Sequence, residues 1–205
     1  MGLVQLKVFA TLDLVGQGPG APEEDPEGFA FGGWQAPFED GVVGRRILAA
    51  YDGVDALLLG RRTYDIFAAY WPHQPRDNPF ADLFARVPKY VASRGEPDLV
   101  WAGSTQLGPD LAAAVREVRA RHEHVAVVGS LDLVQTLLRE GLVDRVDLWL
   151  HPLVLGQGRT LFAGGAVPTT LRLLEAPVTG PSGTVHLRYA VTGETPGTGV
   201  VGASA

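Results

Sequence analysis

One short stretch of the chain, Asp55–Trp71, constrains the fold more than any other. It reads DALLLGRRTYDIFAAYW. Residues 57–59 are three consecutive leucines, an apolar run typical of a strand that is buried on both faces of a sheet. Gly60 stops this run, and apolar residues at helical spacing follow it. The pattern predicts a strand, a glycine and a helix in direct succession.

The first turn of this predicted helix suits a phosphate group. It carries Arg61, Arg62 and Thr63. Backbone N–H groups at a helix N-terminus are unpaired, and the helix dipole favours negative charge there. A guanidinium group also matches two phosphate oxygens at once. The alternative is a helix start whose arginines lie in water, and this stretch alone leaves both interpretations open.

Composition narrows the class of protein. The chain has 205 residues, of which 46% are hydrophobic and 20% charged, and these values are ordinary for one globular domain. A formal net charge of −6 argues against nucleic acid or an anionic membrane as the main partner. The absence of cysteine excludes disulfides, a thiolate nucleophile and a cysteine-ligated zinc. We see no signal peptide and no membrane-spanning run, so we expect a cytoplasmic protein.

The segment Gly16–Gly41 breaks the regular pattern around it. It contains seven glycines and four prolines. A connection this long inside a compact domain is usually a functional lid or a disordered segment. Its large aromatic residues favour a lid, because disordered linkers seldom carry so many. We expect Trp34 and Phe38 to pack when this lid closes over a crevice.

Strands and helices alternate through most of the chain, and a β-rich part follows Asp144. The other predicted strands are Leu3–Leu12, Lys89–Ala92, Leu99–Ala102, Val125–Val128, Val146–Leu155, Leu171–Thr179 and Thr184–Thr192, the last two forming an antiparallel hairpin. The other predicted helices are Val42–Tyr51, Phe80–Val87, one that begins at Pro109 and one capped by Ser130. This order predicts an α/β sandwich with a mostly parallel sheet and an antiparallel C-terminal edge. We expect a single domain over residues 1–192 and a flexible tail over 193–205.

A second predicted strand also ends in a glycine that is followed at once by a helix, at Gly129 and Ser130. In open α/β sheets, ligands bind at the carboxyl ends of the strands, so both glycine junctions should face one crevice. Neither junction is a G-x-G-x-x-G motif or a P-loop. A single junction of this kind is explained by tight packing alone. Two of them, one with paired arginines, favour a nucleotide-binding site.

Three motifs in serial order resemble those of the dihydrofolate reductase-like fold. They are Gly60-Arg61-Arg62-Thr63-Tyr64, Lys89-Tyr90-Val91-Ala92-Ser93-Arg94 and Val127-Val128-Gly129-Ser130. The runs GLVD at 141–144 and PLVLGQGRTLF at 152–162 are typical of one branch of that fold, which contains the reductase domain of the bifunctional riboflavin-biosynthesis deaminase-reductase. The resemblance spans roughly Leu3 to Thr192 and implies a three-layer α/β/α sandwich. We expect no zinc deaminase half in this sequence, because its signature needs cysteines and the sequence has none.

The resemblance also implies NADP(H) as the cofactor and a small-molecule substrate, heterocyclic or with a carbonyl or imine group. It relates the activity to that of 5-amino-6-(5-phosphoribosylamino)uracil reductase and of dihydrofolate reductase. The implied cofactor-binding residues are Gly60, Arg61, Arg62, Thr63, Ser93, Arg94, Gly129, Ser130 and Leu131. Ser93 and Arg94 would meet the adenosine 2′-phosphate, which favours NADP over NAD. Ser130 departs from the family, which more often has two consecutive glycines at that junction.

Three residues are candidates for proton chemistry on the substrate side. In dihydrofolate reductases a lid tryptophan precedes the pterin-holding acid by five residues, and Glu39 follows Trp34 at that spacing, with Asp40 next to it. The alternative is an acidic pair at a helix start, favoured by the dipole. His151 can relay protons near neutral pH, or it can be a satisfied core histidine. We predict no metal site, because His122 and His124 lack a third ligand.

Two further expectations concern assembly and activity. The apolar strands after Val146 carry more surface than one helix layer can cover, which predicts a homodimer, and the resemblance implies the same. The alternative to a reductase is a non-catalytic nucleotide- or pterin-binding homodimer with the same fold.

Overall fold

The computed structural model describes residues 1–25, 28–162 and 166–201. The strands of the described residues are β1 (Leu3–Thr11), β2 (Ala56–Gly60), β3 (Lys89–Ala92), β4 (Ser104–Gln106), β5 (His124–Gly129), β6 (Arg145–His151), β7 (Leu171–Leu173), β8 (Val178–Thr179) and β9 (Val185–Val191). The helices are α1 (Gly41–Ala49), α2 (Arg61–Tyr70), α3 (Pro79–Arg86), α4 (Leu111–Arg121) and α5 (Leu131–Arg139). Single turns of 3₁₀ helix lie at Pro22–Glu24, Ala36–Phe38 and Trp71–His73.

These strands form one sheet in the order β4-β3-β2-β5-β1-β6-β9-β7, and β8 also pairs with β9. Strands β1 to β6 run parallel to one another, whereas β9 runs antiparallel to β6, β7 and β8. The predicted sheet, mostly parallel with an antiparallel C-terminal edge, is therefore confirmed.

Helices cover both faces of the sheet, which confirms the three-layer sandwich. Leu58 packs with residues of α4 and α5 on one face. Leu57 and Leu59 pack with residues of α2 and α3 on the other face. All three leucines are fully buried, and burying a leucine contributes roughly 1.5–3 kcal/mol. The uninterrupted apolar run therefore marks a strand with a core on each side, as its sequence predicts.

A buried charged network ties α1 to the C-terminal half of the sheet. Lys7 Nζ donates to Asp147 Oδ2 at 2.6 Å and to the carbonyl oxygen of Ala50, directly after α1. Asp147 Oδ1 accepts from His186 Nε2 at 2.8 Å and from Arg188 Nε at 2.7 Å. Burial opposes the ionisation of Asp147, but these hydrogen bonds and the Lys7 charge hold its pKa well below the usual range. The network joins β1, β6 and β9 to the end of α1.

The predicted strand Leu99–Ala102 is wrong, because strand β4 begins only at Ser104. Trp101 serves the core from a turn: its side chain is buried, and its backbone N–H donates to Tyr64 Oη at 3.0 Å. Val100 beside it is 71% exposed. Gly103 then reverses the chain with φ +77°. A tertiary contact, rather than local pattern, fixes this turn.

Other element boundaries also differ from the predicted ones. Helix α4 begins after Asp110, whose carboxylate accepts from the Ala113 N–H at 2.9 Å, and not at Pro109. Strand β6 stops at His151, because the N–H groups of Leu155 and Gly156 turn away to the carboxylate of Asp13. The predicted strand over 171–179 is split into β7 and β8.

The chain after β9 keeps contact with the domain for a short distance. The carbonyl oxygen of Glu194 accepts from the Thr170 N–H at 2.9 Å, so hydrogen bonding extends beyond residue 192. The last part of the predicted tail, residues 202–205, lies outside the described residues. Over the described ranges, every helix is too short or too polar to cross a membrane.

Candidate functional site

A large crevice opens where the parallel strands end. Its volume is about 1210 Å³, above the range of roughly 300–1,000 Å³ that is usual for drug-sized ligands. The residues after β2, β3 and β5 line it together with the lid segment. All nine residues that the resemblance implies for cofactor binding lie in its wall: Gly60, Arg61, Arg62, Thr63, Ser93, Arg94, Gly129, Ser130 and Leu131.

The two glycine junctions touch each other at the floor of this crevice. A Cβ atom added at Gly60 would lie 2.5 Å from Ser130 Oγ and 2.8 Å from the Ser130 backbone nitrogen. A Cβ atom at Gly129 would lie 2.8 Å from Thr63 Oγ1. The peptide bond between Gly129 and Ser130 is cis. Glycine at Gly60 therefore avoids a clash with the backbone of the second junction, and glycine at Gly129 leaves room for the Thr63 side chain.

Two helix N-termini face the crevice, at the start of α2 and at the start of α5. Neither helix has a side-chain cap: Gly60 has no side chain to offer, and the Ser130 hydroxyl makes no capping hydrogen bond. The predicted capping role of Ser130 is therefore wrong, although Ser130 does occupy the N-cap position. The first-turn N–H groups of both helices remain suited to an anion, and the Ser130 hydroxyl is free of a capping bond.

Arginines stand on both sides of these helix starts. Arg61 is exposed and pairs with Asp65 one turn along α2, with Nη1 2.8 Å from Oδ2. An exposed i,i+4 pair of this kind is worth only about 0.3–0.5 kcal/mol, so a phosphate can compete for the guanidinium. Arg94 is also exposed and lines the crevice beside Ser93, whose Oγ accepts from the Gly95 N–H at 3.2 Å. The donor set fits a ligand that carries several phosphate oxygens.

The segment Gly16–Gly41 forms another part of the crevice wall. Gln17 and Asp25 line it, and the buried Asp25 carboxylate accepts from the Gln17 amide and from Arg159 Nη2 at 3.2 Å. The Phe29 ring packs on Gly158, where a Cβ atom would lie 2.9 Å from the ring. Pro26 and Glu27 of this segment lie outside the described residues. The segment is therefore fastened to the turn 156–159, and its opening and closing stay a prediction.

A second cavity of about 440 Å³ adjoins the crevice, and Gln35 lines both. Phe38, Glu39 and Asp40 line it, as do His151 and residues of α1. The structure thus brings together the residues that the sequence suggested for the substrate side. Trp34 is buried behind them, with its ring edge-on to His151 at a centroid distance of 5.1 Å.

His151 is held firmly in the wall of this second cavity. Its Nδ1 lies 3.1 Å from the carbonyl oxygen of Trp149, to which it donates, and Phe38 packs edge-on against its ring at 5.8 Å. Burial lowers the pKa of His151 below its usual value, so the ring is neutral at pH 7. These contacts fit the satisfied histidine of the sequence alternative, and they also orient the ring beside the cavity.

The proton-donor role considered for Asp40 does not fit the structure. Asp40 Oδ1 accepts from the N–H groups of Val42 and Val43, both at 2.8 Å, so the residue is the N-cap of α1. Its Oδ2 accepts from the Ser182 N–H at 3.1 Å. Hydrogen bonds from Ser182 and from α1 lower the pKa of Asp40 to about 2, so it is ionised at neutral pH. Glu39 is exposed and makes none of these contacts.

Sequence analysis missed several residues that line these cavities. Arg159 lines the crevice, although its run Gly156-Gln157-Gly158-Arg159 reads only as a turn. Gln35 and Phe80 line the second cavity and carry no local signal. The sequence signal that could have indicated Arg159 is a basic residue that follows two turn glycines.

The sheet order, the helices on both faces and the crevice at the strand ends define a dihydrofolate reductase-like α/β protein. More narrowly, residues 3–185 match the RibD C-terminal domain family, and the chain belongs to that family. Among curated proteins, the uncharacterized protein YyaP of Bacillus subtilis (strain 168) is 26% identical over 140 residues, which cover 66% of this chain and 73% of YyaP.

Solved structures share this fold at low sequence identity. A putative riboflavin biosynthesis protein from Shewanella sp. PV-4 matches with a TM-score of 0.68 and 18% identity, over 94% of this chain and 99% of that one. A pyrimidine reductase-like protein from Corynebacterium diphtheriae matches with a TM-score of 0.62 and 14% identity, over 93% and 92%. Acinetobacter baumannii RibD matches with a TM-score of 0.62 and 17% identity, over 94% of this chain and 58% of its own.

Proposed function

We propose that this protein is an NADP(H)-dependent reductase related to the riboflavin pathway, which transfers a hydride to a small heterocyclic, carbonyl or imine substrate. Membership of the RibD C-terminal domain family supports a reductase. The observation that carries the proposal is the arrangement of the two cavities. A crevice rich in arginines and helix N-termini adjoins a smaller cavity with mostly apolar walls, and Gln35 lines both.

The crevice residues would bind and orient the cofactor, which when bound supplies the hydride. Arg61, Thr63 and the first-turn N–H groups of α2 would bind phosphate oxygens. Ser93 and Arg94 would hold the 2′-phosphate. Gly129, Ser130 and Leu131, which line the same crevice, would hold the rest of the cofactor.

Proton delivery on the substrate side falls to Glu39 and His151. Glu39 lines the second cavity and is exposed, so its carboxyl group is accessible from solvent. His151 is buried and neutral, and the Trp149 carbonyl oxygen fixes its ring orientation. The lid residues Trp34 and Phe38 pack on His151 and exclude water from this wall.

Cofactor binding is tested by the thermal stability of the full chain with each nicotinamide cofactor. NADPH at about one hundred times its Kd should add roughly 2.7 kcal/mol to the free energy of unfolding. NADH at the same concentration should add less, because it lacks the phosphate that Ser93 and Arg94 meet. If neither cofactor shifts the melting temperature, the proposal fails.

The two cavities should respond separately to mutation. We expect Arg61→Ala to raise the Kd for NADPH about tenfold to a hundredfold, because it removes a charge-assisted bond to phosphate. Trp34→Ala should reduce substrate turnover far more than NADPH affinity, because Trp34 contacts His151 and not the arginines. Fluorescence titration with NADPH and steady-state kinetics measure the two effects.

Matched controls for these variants are available in the chain. Arg121 forms an exposed i,i+4 pair with Glu117 as Arg61 does with Asp65, but lies on α4 outside both cavities. Phe31 is an exposed aromatic residue of the lid segment. Arg121→Ala and Phe31→Ala should therefore leave binding and turnover unchanged. If Arg61→Ala and Trp34→Ala alter only folding stability, neither residue belongs to a site.

We further propose that the protein is a cytoplasmic homodimer that assembles through the antiparallel edge of the sheet. Leu173 of β7 is 42% exposed and pairs in register with Tyr189 of β9, which is only half-buried. Light scattering at micromolar concentration should give the mass of two chains, and the mass of one chain would contradict the proposal.

A further inference from the structure

The second cavity has walls suited to a flat ring. Phe38 and Phe80 provide aromatic surface, and Val43 and Ile47 of α1 provide aliphatic surface. A cavity of 440 Å³ has room for one or two fused rings with small substituents. Polar groups are few, and the side chains of Gln35 and Glu39 offer hydrogen-bond acceptors to a ring that carries N–H groups.

The acidic side chains that line this cavity have no basic counterpart among the described lining residues. Among the described residues that line it are two carboxylates, Glu39 and Asp40, and neither lysine nor arginine. His151 adds no positive charge at neutral pH, because burial lowers its pKa. An anionic substituent would therefore meet carboxylates and no basic side chain among the described residues that line the cavity.

The helix N-terminus beside the cavity is already filled. The first-turn N–H groups of α1 would otherwise suit a phosphate, but those of Val42 and Val43 are bonded to Asp40 Oδ1. The Ser182 N–H is bonded to Asp40 Oδ2. Arg46 of α1 is engaged elsewhere, by His186 and Glu175. This chain's own carboxylate thus occupies the place where a phosphate would bind.

We propose that the second cavity takes a planar aromatic or heteroaromatic ring that is neutral or protonated and carries no phosphate. This inference rests on the proposed function, since it names the substrate class of the same reductase. It sets the protein apart from a reductase of phosphoribosylaminouracil, the activity that the resemblance implies. Glu39 would select for N–H donors or positive charge at the mouth of the cavity.

Three probes of one shape and different charge test the proposal by calorimetric or NMR titration of the full chain without cofactor. They are 2-naphthamidine, 2-naphthamide and 2-naphthoate, which are cationic, neutral and anionic at pH 7.5. The amidine and the amide should bind at least about tenfold more tightly than the carboxylate. The phosphate-free ribosylaminouracil should likewise bind at least as tightly as its 5′-phosphate.

Variants identify the cavity and the residue that selects charge. Glu39→Gln should weaken binding of the amidine about fivefold to tenfold and leave binding of the amide unchanged. Glu140 is an exposed residue at the C-cap of α5, so the control variant Glu140→Gln should leave the binding of both probes unchanged. A side chain at Gly44, a cavity-lining position in α1 with no atom within 4 Å of an added Cβ, should block the cavity without a clash. Gly44→Leu should therefore abolish binding of both probes while its circular dichroism spectrum stays that of the wild type.

Three results would overturn the inference: equal or tighter binding of the naphthoate or the 5′-phosphate, no binding of any probe, or undiminished binding to Gly44→Leu. A separate titration with NADPH distinguishes failure of the substrate class from failure of the proposed cofactor. Loss of NADPH binding with the charge preference intact would refute the cofactor assignment alone. Normal NADPH binding with a preference for anions would refute the substrate class alone.

Discussion

Replacing Asp147 with asparagine should lower the free energy of unfolding by roughly 3–5 kcal/mol, the largest stability effect we expect from a single isosteric substitution in this chain. Asp147 is fully buried and is the anionic partner of the fully buried Lys7 as well as of His186 and Arg188. Asparagine keeps the volume but removes the charge, so Lys7 would remain buried without an anion. Urea unfolding at pH 7 measures the loss.

The pH dependence of this loss provides a second check. The pKa of Asp147 is lowered in the folded state, so its contribution is present above the unfolded pKa and declines as pH falls below about 4. The difference between wild type and Asp147→Asn should therefore shrink in acid. Asp98→Asn, at an exposed loop position, should cost less than about 0.5 kcal/mol. A loss below about 1 kcal/mol for Asp147→Asn would contradict the role of the network.

Gly60→Ala should disrupt the crevice even though it adds only one methyl group. The new Cβ would lie 2.8 Å from the Ser130 backbone nitrogen, so the second junction must move. Overpacking of this kind costs typically about 1–3 kcal/mol. Because the α5 N-terminus moves with Ser130, we also expect the Kd for NADPH to rise by about tenfold or more. Thermal unfolding and NADPH titration of one preparation measure both effects.

Gly44→Ala is the matched control for this prediction. Gly44 lies in α1, and no atom lies within 4 Å of an added Cβ. Replacing a helical glycine with alanine should stabilise the fold by about 0.5–1 kcal/mol and leave NADPH affinity unchanged. If Gly60→Ala is as benign as Gly44→Ala, the two junctions do not depend on each other.

The sequence was sufficient for the architecture where local pattern and burial coincide. The three leucines of β2 are continuous because both faces of that strand are covered, and each glycine junction marks a strand end. The resemblance to the dihydrofolate reductase-like fold rested on the serial order of these motifs along the chain. The residues implied for cofactor binding consequently lie in one crevice, because parallel strands bring their carboxyl ends to one edge of the sheet.

The parts that sequence analysis missed depend on contacts between distant segments. Asp40 is fixed as a cap by α1 and by Ser182, which is 142 positions away. Arg159 reaches the crevice because it pairs with Asp25, 134 positions away. The turn at Trp101 is held by Tyr64, which a propensity argument about residues 99–102 cannot include. Such pairings have no local signature, and so the predicted strand over 99–102 was wrong, and the sequence left both interpretations of Asp40 open.

Hydrogen exchange of the full chain with and without saturating NADPH tests the central assignment most directly, because it locates the cofactor along the sequence. We expect slower exchange in three separate segments that meet only in the folded crevice: residues 60–64, 93–96 and 129–133. Exchange at the opposite ends of the strands, for example around His122 and Asp55, should not change. Protection confined to other parts of the chain, or no protection at all, would contradict the assignment of the crevice as the cofactor site.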